Sequence, residues 1–396
     1  MTSFEVIIIG GLGGPSESST QCFMVRPFDS NSVKSLCVDG GSGVGHIMDT
    51  IAVSNEELNV DDDEVNDDFH NYFKTLDWFR HDENNNYKYA SSKRIKLMHN
   101  TSKQAQNNNP NIKVGFSNKL IEILNDKPTI LQKAYSLYQG IESYYITHPH
   151  LDHINGMILN SPLMFERDLP SHKTLYGLEF TTDALQKHVF NDIIWPNLSN
   201  QDSSNLHIET LKESQVHKLR AFPNWEIIPF KLCHGTKVID GSRVFSTVYV
   251  LRDKINKNAV IFFGDTDYNQ HIDEKDTGYD LLNSFWEYLV NNIPLNEIRG
   301  IFIECSSACN YRDEQLYGHL SPQHLIDNLK DLHDKYNKKS KSEFDLNVII
   351  THVKMVPTNT DPRITIIKEL RTIAETIPEL NGIKFYLALN KHRFIL

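Results

Sequence analysis

Three histidines and one aspartate fall within six residues of Thr147-His148-Pro149-His150-Leu151-Asp152-His153-Ile154-Asn155-Gly156. An apolar, strand-like run, Ser143-Tyr144-Tyr145-Ile146, leads into this cluster. Two residues apart just past a strand end, His148 and His150 can turn their imidazoles to one side. Asp152 and His153 then sit at the turn into a helix that Ser161-Pro162 closes. Imidazole suits zinc, and carboxylate tolerates zinc, manganese and iron. A pair of metals ~3.5–4 Å apart, the arrangement used in phosphate-ester hydrolysis, needs about seven ligands with one bridging. The run supplies two ligands to each metal, so the others must come from elsewhere in the chain. Taken singly, a strand-end His or Asp is an ordinary structural residue. His234, Asp265 and His352 are nonetheless the right types in the right order, each following an apolar run: Glu226–Leu232, Val260–Gly264 and Asn347–Thr351.

The elements that must position these residues follow from the pattern around them. Val6–Ile9, Cys22–Val25 and Ser35–Val38 are short apolar runs bounded by Gly clusters, which predicts an antiparallel start. Gly10-Gly11-Leu12-Gly13-Gly14-Pro15 lacks the spacing of a dinucleotide loop and precedes no helical pattern, so it predicts a tight turn beneath the site. From residue 143 onward, apolar strands alternate with helical stretches at about 181–191, 279–292, 322–335 and 364–376. Such alternation predicts an α/β fold with sheets covered by helices. Residues 54–115 differ in character. Eight acids and no base lie between Ser54 and Asp68, and Asn-rich tracts follow at 84–86 and 107–109. This segment, with helical spacing at Phe69–Phe79, predicts a solvated insertion on a single domain spanning 1–396.

The charge balance is 40 Lys and Arg against 51 Asp and Glu, a net −11. It argues against a wide grip on a nucleic-acid backbone, which calls for a basic face. No run of 18 apolar residues exists, so no membrane-spanning helix is expected. The N-terminus has no basic segment ahead of its strand-length apolar run, and five cysteines are scattered without a CxxC pair. Both features predict a cytoplasmic chain with reduced thiols. The oligomeric state stays open, a homodimer included.

At this point the chain resembles a family. HxHxDH followed by a later His, Asp and His is the ligand order of the metallo-β-lactamase superfamily. The extended run Thr147-His148-Pro149-His150-Leu151-Asp152-His153-Ile154-Asn155-Gly156-Met157-Ile158-Leu159-Asn160-Ser161-Pro162 is similar to the signature of class II cyclic-nucleotide phosphodiesterases, in particular the fungal cytosolic members. Val38-Asp39-Gly40-Gly41, Phe263-Gly264-Asp265-Thr266, Ile303-Glu304-Cys305-Ser306, Tyr317-Gly318-His319-Leu320-Ser321-Pro322 and Thr351-His352-Val353-Lys354 agree with it. The resemblance implies an αββα sandwich of two mixed β-sheets flanked by helices. It implies that His148, His150 and His234 hold one metal ion, that Asp152, His153 and His352 hold another, and that Asp265 bridges two divalent ions, zinc by preference. Asp152 would thereby belong to the catalytic set as well as the ligand set.

The reaction implied is hydrolysis of 3′,5′-cyclic nucleotides, cyclic AMP and also cyclic GMP, to nucleoside 5′-monophosphates, a step that controls cyclic-AMP signalling. Water between two divalent cations is hydroxide near neutral pH. The leaving ribose oxygen needs a proton, and His319 is the candidate acid, oriented by Glu304. Asp39 reads as a carboxylate or turn former that orients a metal histidine, and His46 as a surface or supporting residue. His172, His188, His207, His217, His271 and His392 read as solvent or core histidines. Two other readings stand beside this one: an endonuclease of the transfer-RNA 3′-processing type, and a catalytically silent metal-binding regulator. Neither the aromatic ring that holds the base nor the preference for adenine over guanine can be chosen from sequence.

Overall fold

The computed structural model describes residues 2–54, 111–165, 172–199, 205–270, 280–340 and 343–396. Its first strand, Phe4–Gly10, is buried along its whole length. Phe4, Val6 and Ile8 enter one apolar core while Ile7 and Ile9 enter another, as the two-residue period of a strand requires. A strand covered on both faces must be apolar throughout, which is why this segment reads as a continuous hydrophobic run.

Among the described residues, one sheet of eight strands runs in the order Asn111–Val114, His392–Ile395, Phe4–Gly10, Cys22–Pro27, Ser35–Val38, Ile141–Tyr145, Lys173–Gly177 and Leu206–Thr210. Its first five strands pair antiparallel and its last four parallel, with Ser35–Val38 common to both sets. A second sheet of seven strands runs Ile383–Leu387, Leu346–Thr351, Ile298–Glu304, Asn258–Phe263, Arg243–Asp253, Trp225–Thr236 and His217–Lys218. Its first four strands pair parallel and the rest antiparallel. Both sheets are therefore mixed. They face one another across a core in which Phe23 of the first sheet meets Phe262 and Phe302 of the second, at ring-centroid distances of 5.9 and 5.4 Å.

Helices Val44–Ser54, Ile130–Gly140 and Leu151–Asn160 cover the outer face of the first sheet through Ile47, Ile51, Leu137, Ile154 and Met157. Helix Leu281–Asn292 covers the second, setting Phe285 and Trp286 each 5.5 Å from the Phe263 ring. Helices Pro322–Lys339 and Pro362–Glu375 join it on that side. The layers are helix, sheet, sheet, helix, the αββα arrangement that the resemblance implies. The stretch expected to be helical at 181–191 is α-helical over Glu179–Ala184 and continues as a wider turn over Leu185–Val189. Among the described residues no helix is long and apolar enough to cross a membrane.

Of the segment read as an insertion, residues 55–110, including the helical stretch expected at Phe69–Phe79, lie outside the described residues. Its margins do not. Ser54 ends a helix, and its Oγ accepts a hydrogen bond from Phe116 N at 2.7 Å. Asn111–Val114 is the edge strand of the first sheet, paired with His392–Ile395.

The carboxyl ends of the parallel strands lie together. Ser35–Val38 leads to Asp39, Ile141–Tyr145 to His148, Asn258–Phe263 to Asp265, Leu346–Thr351 to His352, and Ile298–Glu304 ends on Glu304 itself. Loops at such strand ends are where a rigid sheet can aim side chains without disturbing its ladder. A short parallel pairing of Leu12–Gly13 with Val353–Lys354 ties the Gly-rich turn to the His352 loop.

Candidate active site

The other six ligand candidates gather around Asp265, which is 2% exposed. Its Oδ1 lies 3.3 Å from His153 Nε2 and 3.2 Å from His352 Nε2. Its Oδ2 lies 3.6 Å from His148 Nε2 and 3.5 Å from His234 Nε2. His150 Nδ1 completes the second group at 3.3 Å from His234 Nε2, and Asp152 Oδ2 the first at 3.1 Å from His352 Nε2. One carboxylate thus turns one oxygen toward each of two ligand groups. In each group the donor atoms lie close enough together to share an ion. With metal–ligand bonds of ~2.0–2.2 Å, the corners of a tetrahedron lie ~3.3–3.6 Å apart. Most of these separations fall near that edge length. His148 Nε2, His153 Nε2 and Asp265 Oδ1 are buried without a hydrogen-bond partner, a costly state for polar atoms that a cation would relieve. The residues fit a metal centre.

Their placement is local in origin. Asp152 and His153 occupy the first turn of helix Leu151–Asn160, directly after His150 at its N-cap position. His352 adopts a left-handed φ of +56°, which turns its ring back over the site, and its N–H donates to Gly11 O at 2.8 Å. His234 departs from the strand-end expectation. Its strand runs on to Thr236, and the register breaks between Cys233 and Thr236, with Gly235 at φ +71°. A bulge, rather than a strand end, aims His234 inward.

The outer nitrogens of four of the five candidate ligand histidines are tied down. His153 Nδ1 donates to Asp39 Oδ2 at 2.8 Å, so Asp39 touches a candidate ligand histidine. Asp39 also accepts from Thr147 N at 2.7 Å and from Gln21 Nε2 at 3.0 Å. Thr147 Oγ1 donates to Asp39 and accepts from His148 Nδ1, at 3.1 Å. His234 Nδ1 donates to Gly318 O at 2.8 Å, and His352 Nδ1 to Ser306 Oγ at 3.0 Å. These bonds fix the tautomers so that His148, His153, His234 and His352 all present Nε2 to the centre. Gly14 N donates to Asp152 Oδ2 at 2.9 Å, and a side chain at Gly13 would strike the His352 ring. The Gly-rich turn therefore lies against the ligands, with its amide on one of them. Asp39 accepts through both oxygens, so asparagine there sets an amide donor against either His153 Nδ1–H or Thr147 N–H. The substitution is expected to weaken metal binding by roughly 10–100-fold, measured by competition with a chromogenic chelator.

The electrostatics divide the two groups. Burial pushes the His148, His150 and His234 imidazoles down, His234 to about 4, which favours the neutral form with a lone pair to give. Burial also opposes charge on His153 and His352, but Asp265 and its neighbouring carboxylates outweigh it and raise both. Burial opposes ionisation of Asp265, but His352 and His153 outweigh it and hold the carboxyl well below its usual range. A permanently ionised carboxylate is what a bridge between two cations requires.

His319 and Glu304 lie beside this centre. His319 Nδ1 donates to Glu304 Oε1 at 2.9 Å, which leaves Nε2 uncommitted. Glu304 also accepts from Thr266 N at 2.6 Å, Ser306 Oγ at 2.7 Å and Leu320 N at 3.3 Å. Burial would raise the Glu304 carboxyl, and the adjoining His319 imidazole lowers it on balance. The His319 ring stacks on that of His352 at 5.1 Å and 21°. Ser306 went unassigned in sequence, yet its hydroxyl touches Glu304, His352 and the edge of His319, at 3.4 Å from Nδ1. The signal was its place two residues after Glu304. Thr147, Gly14 and Gly318 also went unassigned: Gly14 and Gly318 meet Asp152 and His234 from far along the chain, and Thr147 joins the distant Asp39 to its neighbour His148. His46 holds the Ser19 amide at 3.0 Å, His392 is a core histidine that burial lowers to about 3, and His271 lies outside the described residues.

The chain was compared with known proteins. The family model for cAMP phosphodiesterases class-II matches residues 74–390. The 3′,5′-cyclic-nucleotide phosphodiesterase 1 of Saccharomyces cerevisiae is 39% identical over 402 residues, covering 100% of both chains. A 3′,5′-cyclic-nucleotide phosphodiesterase of Aliivibrio fischeri is 31% identical over 62% of this chain and 69% of its own. The solved structure of unliganded yeast PDE1 superposes with a TM-score of 0.82 and 36% identity, covering 100% of both chains. With this fold and this cluster of ligand-type residues, the chain belongs to the class-II cAMP phosphodiesterases.

Proposed function

We propose that this chain hydrolyses 3′,5′-cyclic nucleotides, cyclic AMP first, to nucleoside 5′-monophosphates and so lowers a cyclic-nucleotide signal. The observation that carries this reading is Asp265, with one oxygen turned to each of two ligand groups. His148, His150 and His234 would hold one divalent ion and Asp152, His153 and His352 the other, with Asp265 between them and zinc the ion best suited to the donors. When bound, two such ions supply an acidified water as nucleophile and positive charge for the phosphate oxygens.

The chain's own residues do the rest. Asp39, Thr147, Ser306 and the Gly318 carbonyl hold the ligand rings in place before substrate arrives. The water oxygen adds to phosphorus, the bond from phosphorus to the ribose 3′ oxygen breaks, and that oxygen takes a proton. His319 Nε2 is the donor in this reading, with Glu304 fixing Nδ1. Glu304 is a positioning residue, since it acts through His319. The net charge of −11 weighs against the nuclease alternative.

Purified protein mixed with cyclic AMP, with and without excess strong chelator, tests the reaction by chromatography of 5′-AMP. Product that disappears with chelator and returns with zinc is expected. No product from metal-replete protein with either cyclic AMP or cyclic GMP overturns the reading, and cleavage of a precursor transfer RNA by the same preparation would replace it with the nuclease.

A further inference from the structure

The ring that receives the base was not legible in sequence, and the structure singles one out. Tyr317 is 76% exposed, although a tyrosine gains by burial. It also holds a left-handed φ of +54°, uncommon for a bulky residue. Both features have a local cause. Leu316 is fully buried on one side of it. On the other, Gly318 at φ +80° passes so close to Gly235 that a Cβ there would lie 2.6 Å from Gly235 N, and its carbonyl accepts from His234. The chain is pinned on both sides of Tyr317, and the turn throws the ring outward. Backbone strain of this kind persists where the surrounding structure over-determines it.

The position is informative. Tyr317 lies two residues before His319 and Lys354 two residues after His352, and the Lys354 ammonium lies 5.9 Å from the Tyr317 ring centroid. This cation–ring pair spans the two loops whose histidines stack on one another. Lys354 also lines, with Ser306, Asn310, Tyr311 and Thr358, a pocket of about 350 Å³ that begins at the Ser306 support of the centre. His319 would protonate the ribose oxygen, so the nucleoside extends from the metals on the His319 side, where Tyr317 and this pocket lie. Other nearby rings are less free. Tyr268 is already stacked on His324 at 4.9 Å and 20°, and Tyr311 is half-buried.

We propose that Tyr317 is the platform on which the purine stacks, a positioning and specificity residue for the reaction above; the proposal rests on that reading. Lys354 backs one part of the ring, and the exposed face takes the base. Stacking draws on the π-face that every base has, so it selects nucleotides over base-free cyclic phosphates rather than adenine over guanine.

The test compares cyclic AMP with ribose 3′,5′-cyclic phosphate, which has no base, on the zinc-loaded full chain. Tyr317→Ala is expected to raise KM for cyclic AMP by about 10–100-fold, the size of one base–aromatic stack. The ratio of kcat/KM between the two substrates then falls by the same factor, while Tyr317→Phe holds that ratio near the parent value. An unchanged ratio in Tyr317→Ala, or equal loss in Tyr317→Phe, overturns the proposal. Equal loss on both substrates with lower metal content would show that Tyr317 acts only through Gly318 and His234. If the parent chain cleaves neither substrate, the reaction assignment falls, and this proposal with it.

Discussion

Asp265→Ala abolishes turnover and releases about one metal ion per chain. The expectation follows from the two directions in which this carboxylate faces. Oδ1 lies within 3.3 Å of His153 and His352, and Oδ2 within 3.6 Å of His148 and His234, so one substitution removes a donor from both groups at once. Losing a mere support of a metal ligand costs roughly 10–100-fold, so losing a shared ligand should cost at least the product over two sites, ~10²–10⁴. Alanine also removes one nearby negative charge from five buried imidazoles, those four and His319, and any of them that protonates then repels its neighbours. Asp265→Asn separates the two effects, because it keeps the volume and one acceptor but not the charge. Metal content by plasma emission and kcat on cyclic AMP are the measurements. Full activity with two ions per chain would sink the bridged binuclear arrangement, and full activity with one ion would show that a single group suffices.

Why one part of this centre could be read in advance and another could not comes down to sequence distance. His148, His150, Asp152 and His153 were legible because they lie within one strand-to-helix turn, where backbone periodicity alone brings donors together. Asp265 and His352 were legible more weakly, as polar residues ending apolar strands, and the parallel pairing of those strands brings their ends to one edge. His234 was expected after a strand end, whereas a bulge within Trp225–Thr236 aims it, and bulges leave no reliable trace in composition. Gly14 and Asp152 are 138 residues apart, and Asp39 and Thr147 108 apart, so no local pattern could reveal those bonds. The Gly-rich run was recognised as a turn, but its use as an amide donor to a ligand depends on the short pairing of Leu12–Gly13 with Val353–Lys354. The layered fold was legible because each apolar strand is buried on both faces and each helix on one. Asn111–Val114, which looks polar and was read with the acidic segment, serves as an edge strand, where one side chain in two can face water.

His319→Ala is the second large effect, and it discriminates between two ways of using the same ring. His319 also lies near Asp265 and His352, in a grouping that could hold an ion, so it is either an acid or a ligand. Its Nδ1 is 2.9 Å from Glu304 and 3.9 Å from Asp265, which favours a ring held by Glu304 with Nε2 free for the substrate. As general acid its loss should lower kcat by ~10²–10⁴ with both ions retained. The size must also depend on the leaving group. A ribose alkoxide is a poor leaving group and needs the proton, whereas a p-nitrophenolate departs as the anion. The deficit of His319→Ala should therefore shrink markedly on a nucleoside 5′-(p-nitrophenyl phosphate), while that of Asp265→Ala should not, because loss of the metal bridge harms both substrates alike. A deficit equal on the two substrates, or a fall in metal content, would make His319 a ligand or a structural support. The Glu304–His319 pair would then serve to hold the His352 loop through Ser306 instead of moving a proton.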